Sequence, residues 1–447
     1  MVDTPKTDLS VRLLAVKLLS KTENSGRYID HLLETSEAVQ HLTRRDHGLL
    51  QQIVNGVLQH KTYLDLVAKH YIQKGFASFP SITKNIFRTA FYQLMFLQRI
   101  PAYAVVSESV KVAKKVLDQR RAKFVNAVLR SYLKKPFTPH PPKPKKLKEL
   151  AQYYSHPLWL VERFIEQYGN ENIIEWLQGN NQIPPLYVRL LQANLPVGAT
   201  EVLEAFEPVK PYFKYSEGES PTLIPGWDAG AFLVQDPAAG LVVQIADAQP
   251  GESVIDFCAA PGGKAIALAH NVGADGVVIA VEKSPLRAEK LRINLARTGL
   301  QNTSVVVGDA RSVKVPTADV VLLDAPCSGL GVLSRRADLR WQRAPEDFAE
   351  LVTLQRDILN HVAQFVVPGG RLVYATCSID HEENESVAAA FLQAHPKFEL
   401  ENAAEFVAEH FVTEQGYLKT LPHLHGIDGV FAARFRKAND KPLFPSN

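Results

Sequence analysis

Cys327 and Cys377 stand fifty positions apart, and each closes an apolar run: VVLLDAPC in one case, RLVYATC in the other. Asp324 lies three residues before Cys327, and Lys264 follows the Gly262-Gly263 pair of an earlier loop. A reaction that needs a thiolate beside a methyl donor is substitution at carbon 5 of a pyrimidine. That carbon is not nucleophilic by itself. Addition of a thiolate to carbon 6 turns it into an enamine-like centre that accepts a methyl group. An acid near ring nitrogen 3 stabilises the charge that develops, and a base must then remove the carbon 5 proton so that the sulfur can leave. Asp324, Lys264, Cys327 and Cys377 are the residue types such a site requires. A lone buried cysteine more often packs as a small apolar group. A zinc site would need four ligands, usually with C-x-x-C spacing, which does not occur here, so no metal is expected.

The methyl donor itself has a candidate place. DFCAAPGGK, Asp256 to Lys264, follows a short apolar run and precedes the helical pattern AIALAHNV. Ligands of open α/β sheets sit at the carboxyl ends of strands, and Gly262 and Gly263 allow close approach of a backbone. Glu282, twenty residues after Gly262 and at the end of the next apolar run, is placed to bind a ribose. Asp309, in VVVGDA, can accept from an exocyclic adenine amine. The loop is neither G-x-G-x-x-G nor a P-loop and has no cradle for a pyrophosphate. Two strand-end acids without a phosphate loop favour a nucleoside such as S-adenosylmethionine over NAD.

The elements that must position these residues can be read from the pattern. Ser253–Phe257, Val277–Val281, Ser304–Val307, Val320–Leu323 and Arg371–Thr376 are short apolar runs separated by helical segments such as Arg287–Thr298 and Asp347–Val362. This alternation predicts a parallel sheet with helices on both faces, with Val430–Arg434 as an edge strand. The first 135 residues read as helical throughout. Leu49, Leu50, Ile53, Val54, Val57 and Leu58 form one stripe of a helix with Thr43 as its N-cap, and similar stripes surround Ile86–Leu97 and Val105–Val116. Lys134 to Leu150 holds five prolines and six lysines and reads as a linker. Between it and about Ala231 the pattern is that of a small α+β module: HPLWLVERFIEQYG is an amphipathic helix ending at Gly169, and Pro184–Arg189 and Val209–Lys214 are strand candidates. The expected domains are therefore 1–135, a linker 136–150, a module 151–231 and a Rossmann-like domain 232–447.

The formal charge of +3 over 447 residues conceals an asymmetry. Met1 to Lys148 carries 26 Lys and Arg against 10 Asp and Glu, and the remainder 24 against 37. A net +16 beside a net −13 is the mark of a polyanion-binding region joined to a body with another task. The longest uncharged run, His47 to His60, is too short and too polar to span a membrane. Residues MVDTPKTDLS lack an apolar signal core, and three cysteines fit a reducing compartment. A cytoplasmic protein is expected, with no membrane partner.

DFCAAPGGK, LLDAPCSGLGVLSRR and YATCS together resemble the RNA 5-methylcytosine methyltransferases. LTRRDHGLLQQIVNGVLQHK, AFYQLMFLQRIPAYAVVSESV and KFVNAVLRSYL resemble the NusB-like domain that precedes the catalytic domain in the Sun/Fmu branch. The members of that branch are the bacterial RsmB small-subunit ribosomal RNA (cytosine-5) methyltransferases. The resemblance spans nearly the whole chain. It implies Cys377 as the nucleophile on carbon 6, Cys327 as the residue assisting release, and Asp324 at the cytosine edge with Lys264 nearby. It also implies a cofactor cradle of Cys258, Ala259, Ala260, Pro261, Gly262, Gly263 and Lys264. Glu282 takes the ribose, Asp309 the adenine, and Asp324 counts among the cofactor contacts. Arg335, Arg336 and Arg340 would face RNA. The expected partner is 16S ribosomal RNA, with no DNA, and the expected state a monomer. Two positions depart from the family's pattern: Tyr187-Val188-Arg189-Leu190 lacks an asparagine, and His425–Phe431 has Val430 where a second aromatic is usual. The same chemistry on transfer RNA, an amino-methyltransferase, and a non-catalytic RNA-binding protein are the rival readings. Intact Asp324, Cys327 and Cys377 weigh against the last.

Overall fold

The computed structural model describes residues 10–72, 75–215 and 220–439. These form two compact units. The first comprises residues up to Gln182 together with Leu333–Arg343; the second comprises Ile183–Val332 and the chain from Ala344 onward.

The first unit is helical. Its principal helices are Val11–Ser25, Arg44–Gln59, Lys61–Tyr71, Ser81–Phe96, Ala102–Val116 and Gln119–Lys134. Thr43 caps the second of these, accepting from the Asp46 amide at 3.2 Å. The stripe expected from the sequence is the buried one: Leu50, Ile53, Val54, Val57 and Leu58 meet Phe87, Phe91, Val105 and Leu129 in one core. Arg88 is buried and forks onto Asp65 at 2.7 and 2.8 Å while its other nitrogen reaches Glu23 at 2.7 Å, joining three helices through charge-assisted bonds.

Two boundaries expected from the sequence do not coincide with the division between these units. The Pro/Lys-rich stretch 136–150 does not separate one body from another: it lies inside the first unit, with Phe137 stacked on His70 at 3.9 Å. The helices Leu147–Tyr153, Leu158–Tyr168 and Ile173–Gly179 also belong to this unit, so the 151–231 module divides between Gln182 and Ile183.

The second unit carries two sheets. Four antiparallel strands, β1 (Leu186–Leu190), β2 (Leu203–Ala205), β3 (Tyr212–Tyr215) and β4 (Phe232–Val234), run in the order β2-β3-β1-β4. The larger sheet contains β5 (Ser253–Phe257), β6 (Val277–Glu282), β7 (Thr303–Val307), β8 (Ala318–Asp324), β9 (Val366–Thr376), β10 (Phe398–Glu401), β11 (Leu418–Lys419) and β12 (Phe431–Lys437). Its order is β10-β12-β9-β8-β5-β6-β7, with β11 beside β12. The strands from β5 to β9 are parallel, and β12 pairs antiparallel with β9. Alternate residues serve opposite faces. Val254, Val320 and Val373 enter one core, while Ile255, Val321 and Leu372 enter the other. The chain leaves β5 toward β6 on one side and returns to β8 on the other. That reversal opens a crevice at the carboxyl ends of β5 and β8.

Candidate active site

The register of β8 and β9 brings the two cysteines together. Asp324 is opposite Ala375, and the Ala325 amide donates to the Ala375 carbonyl at 2.8 Å. Beyond the paired strand ends, Cys327 Sγ comes within 3.3 Å of Cys377 Sγ. The Gly331 amide donates to the Cys377 carbonyl at 3.0 Å. A Cβ at Gly331 would lie 2.0 Å from the Gly429 carbonyl oxygen, so this backbone crossing requires glycine.

Lys264, in the first turn of the helix Gly263–Val272, reaches across from β5 to β8. Its Nζ lies 2.8 Å from Asp324 Oδ2. Burial works to discharge this lysine, but the Asp324 ion pair, Asp256 and Cys377 outweigh it and hold its pKa above the usual value. The ammonium is therefore a fixed positive charge in the field of Cys377. Cys327 is held as a neutral thiol: its pKa is raised well above the ordinary range by the Cys377 sulfur beside it and by burial. Cys258, with φ of +62°, is pushed up to about 12 by burial and then by the Asp324, Glu282 and Asp256 carboxyls, which disfavours its thiolate.

The loop from Cys258 to Gly262 is tied on several sides. The Ala259 amide donates to the Val281 carbonyl, Arg287 donates to the Ala260 carbonyl at 2.6 Å, and Asn294 donates to the Pro261 carbonyl at 2.9 Å. Gly262 has φ of +107° and would place a Cβ 2.4 Å from Leu291 Cδ1. Glu282 is buried at the end of β6, accepting from the Ser284 amide at 2.9 Å and from the Ala260 amide at 3.4 Å. Asp309 is engaged by Arg311 at 2.6 Å and by Lys283 at 3.0 Å. The Arg311 bonds, with Lys283, hold its carboxyl well below the usual range.

One carboxylate stands apart. Asp256 is wholly buried, and neither of its oxygens has a hydrogen-bond partner among the described residues. Burial, then repulsion from Asp324 and Glu282, push its pKa up to about 8 despite Lys264. A buried acid without a partner is costly, and a ligand carrying positive charge would supply one. S-adenosylmethionine, with its sulfonium and ammonium groups, fits this acid-lined crevice.

Residues 9–134 match the NusB family, and residues 243–436 match the family described as 16S rRNA methyltransferase RsmB/F. The probable ribosomal RNA small subunit methyltransferase B of Bacillus subtilis is 33% identical over 446 residues, covering 96% of this chain and 99% of that protein. This chain belongs to the RsmB family of small-subunit ribosomal RNA methyltransferases. The ribosomal RNA small subunit methyltransferase B of Vibrio cholerae is likewise 33% identical, over 88% of this chain and 91% of its own. The crystal structure of PH0851 has the same fold, with a TM-score of 0.78 and 24% identity, covering 96% of this chain and 98% of that one. As an RsmB-family enzyme the protein is a methyltransferase whose methyl donor is S-adenosylmethionine. Among the described residues, no helix is long and apolar enough to cross a membrane.

Glu383 and Asn384 of this RsmB-family site are not singled out by the sequence. Glu383 is fully buried and accepts from the Ser328 amide at 2.8 Å, the Ser328 hydroxyl at 2.5 Å, the Ser378 hydroxyl at 2.6 Å and Gln355 at 2.9 Å. One carboxylate thus grips the residue after each cysteine. Asn384 accepts from the Thr376 hydroxyl at 2.6 Å and donates to the Ser378 carbonyl at 2.9 Å. Their signal in the sequence is faint: two polar residues soon after Cys377 in an acidic stretch.

The three arginines expected to face RNA differ in their surroundings. They belong to the segment that folds with the helical unit. Arg336 is partly exposed, 3.3 Å from Asp30. Arg340 is corrected: it is fully buried, and its guanidinium donates to the carbonyls of Ser155, Asn180 and Leu333 and to Asn181 Oδ1. Burial lowers its pKa to about 9. A guanidinium so enclosed presents nothing to a phosphate. Arg335 keeps partial exposure.

Proposed function

We propose that the enzyme methylates carbon 5 of one cytosine in 16S ribosomal RNA through a covalent bond from Cys377 to carbon 6. The observation that carries this reading is the convergence of the Cys327–Cys377 pair with the Lys264–Asp324 ion pair on one crevice. An enzyme that methylates an exocyclic amine needs no cysteine there.

S-adenosylmethionine, when bound, supplies an electrophilic methyl group. Cys258–Lys264, Glu282, Asp309 and Asp324 would hold it, and the partnerless Asp256 carboxyl would ionise beside the ligand's positive charge. Cys377, as thiolate, bonds to carbon 6 and moves an electron pair toward carbon 5. Asp324, oriented by Lys264, holds the cytosine edge, and the Lys264 ammonium offsets the negative charge that develops on the ring. After carbon 5 has taken the methyl group, the carbon 5–hydrogen electron pair restores the double bond as the carbon 6–sulfur bond breaks: the Cys377 sulfur leaves with the Cys327 proton, and the Cys327 thiolate so formed takes the proton from carbon 5. Cys327, a neutral thiol 3.3 Å from the leaving sulfur, assists that release. The target base must leave its stack to reach the crevice. The basic N-terminal region neutralises phosphates and positions the RNA without reading its sequence. Arg335 and Arg336 remain proposed RNA contacts. The enzyme acts in the cytoplasm as a monomer.

The test is methyl transfer from labelled S-adenosylmethionine to small-subunit ribosomal RNA, transfer RNA and assembled small subunits, followed by nucleoside analysis. Label in 5-methylcytidine from ribosomal RNA supports the reading. Label in a methylated exocyclic amine, or only in transfer RNA, overturns it.

A further inference from the structure

Within the helical unit lies a cavity of about 420 Å³, in the size range of sites for small planar ligands. Its walls are largely aromatic, with His60, Tyr63, Phe96, Tyr153 and Tyr154, and Asn181 among the amides. His60 and Phe96 stack with centroids 4.5 Å apart and planes 15° from parallel. Phe96 nevertheless leaves 40% of its surface open, unusual for a phenylalanine at a helix end beside a large core. The rim is amide. Gln178 donates to the Tyr154 hydroxyl at 3.4 Å, while the Gln182 side chain is exposed and makes no hydrogen bond among the described residues.

No lining residue carries a charge. His60 is depressed to about 4 by burial and then by Arg340, so its ring is neutral at physiological pH. A phosphate or a carboxylate would find no counter-charge here. A flat, neutral ring with hydrogen-bonding edges would find stacking faces and amides. The surrounding polypeptide is the most basic part of the chain, net +16 up to Lys148. A neutral aromatic-and-amide pocket on a polycationic body is the arrangement by which proteins hold a splayed-out base while cations hold its phosphates.

We propose that this cavity binds an unstacked RNA base, distinct from the target cytosine, stacked on Phe96 and read at its edge by Gln178 and Gln182. The proposal rests on the RNA-substrate reading. It gives the N-terminal unit a way to select single-stranded RNA, beyond the electrostatic attraction that its charge provides.

The experiment uses the full chain and two labelled probes at one fixed salt concentration: a 12-nucleotide oligoadenylate and a 12-base-pair RNA duplex, whose bases are not available to stack. Variants are Phe96→Ala, Phe96→Tyr and Gln182→Ala. The expected result for Phe96→Ala is a loss of affinity for oligoadenylate of about 5- to 150-fold, the range for one base–aromatic contact. Duplex affinity should change less than about twofold, and Phe96→Tyr should bind as wild type. Gln182→Ala, at an exposed position, gives a smaller loss confined to the single strand. Unchanged oligoadenylate binding by Phe96→Ala overturns the pocket, and so would occupancy by an apolar peptide side chain instead of a base. An equal loss on both probes, with Phe96→Tyr failing to restore it, reports a folding defect and also counts against it. If wild type binds neither probe, the RNA reading falls and the pocket with it. Binding of both probes that no variant alters removes the pocket alone.

Discussion

Cys327 Sγ lies 3.3 Å from Cys377 Sγ, although fifty residues separate them. The contact follows from the parallel register of β8 and β9, which sets Asp324 beside Ala375 and turns both strand ends into one crevice. Burial and the neighbouring sulfur keep Cys327 a thiol. A thiol held beside the proposed nucleophile is suited to assist its release.

Asp324→Asn keeps the shape of the cytosine-edge group but removes the charge that pairs with Lys264 at 2.8 Å. Its kcat should fall by about 10²- to 10³-fold, the usual effect of losing one preorganised electrostatic contact. Lys264→Met should fall comparably. Single-turnover methyl transfer at saturating donor and RNA measures both; rates within twofold of wild type would remove the pair from the chemistry.

Glu383→Gln tests the clamp on the two cysteine loops. Glutamine presents an amide donor where hydroxyls of Ser328 and Ser378 now donate. The expected outcome is a kcat loss of about 10- to 100-fold, as misplacement by a fraction of an ångström costs in an oriented site. The KM for S-adenosylmethionine should not move. A change in KM alone would assign Glu383 to cofactor binding.

Asp256 makes stability depend on pH. Its native pKa, about 8, stands above that of an unfolded aspartate, so the native state retains a proton that the unfolded chain has lost. The stabilising contribution is complete below about pH 4 and is lost progressively as pH rises toward 8, at up to about 1.4 kcal/mol per pH unit. In the ligand-free protein, Asp256→Asn should flatten the fall in Tm between pH 5 and 8. Parallel Tm–pH curves for the two proteins would contradict this.

Arg340→Met distinguishes a structural arginine from an RNA contact. Removing it leaves the buried carbonyls of Ser155 and Asn180 without their donor, at a cost of about 1–3 kcal/mol for each unsatisfied group. Thermal stability should drop sharply, whereas the salt dependence of RNA affinity should keep its slope. Arg336→Met, at an exposed pair with Asp30, should leave Tm nearly unchanged.

The elements of the fold visible in the sequence are those set by local periodicity. Ser253–Phe257 is β5 to the residue, Asp347–Val362 is a helix to the residue, and Thr43 caps the helix it was expected to cap. Glu282 and Asp324 close β6 and β8 and Cys377 follows β9, as strand ends in parallel sheets lead one to expect, while Lys264 sits in the helix after β5. What escaped depends on partners remote in the chain. Leu333–Arg343 follows β8 yet folds with helices more than 150 residues earlier, where Asp338 accepts from the Ile29 amide and Trp341 donates to the Leu58 carbonyl. No local pattern distinguishes Arg340, enclosed by carbonyls, from Arg336, half in solvent. Glu383 reads as a solvated acid until the turns after Cys327 and Cys377 surround it.

In the proposed reaction Cys377 bonds to the base and Cys327 assists its release. The most direct measurement is denaturing electrophoresis of wild type, Cys327→Ala and Cys377→Ala after incubation with small-subunit ribosomal RNA and labelled S-adenosylmethionine. A methyl-labelled protein–RNA adduct should accumulate in Cys327→Ala and be absent from Cys377→Ala, which should also transfer no methyl group. An adduct that forms in Cys377→Ala, or full methyl transfer by it, would contradict the assignment.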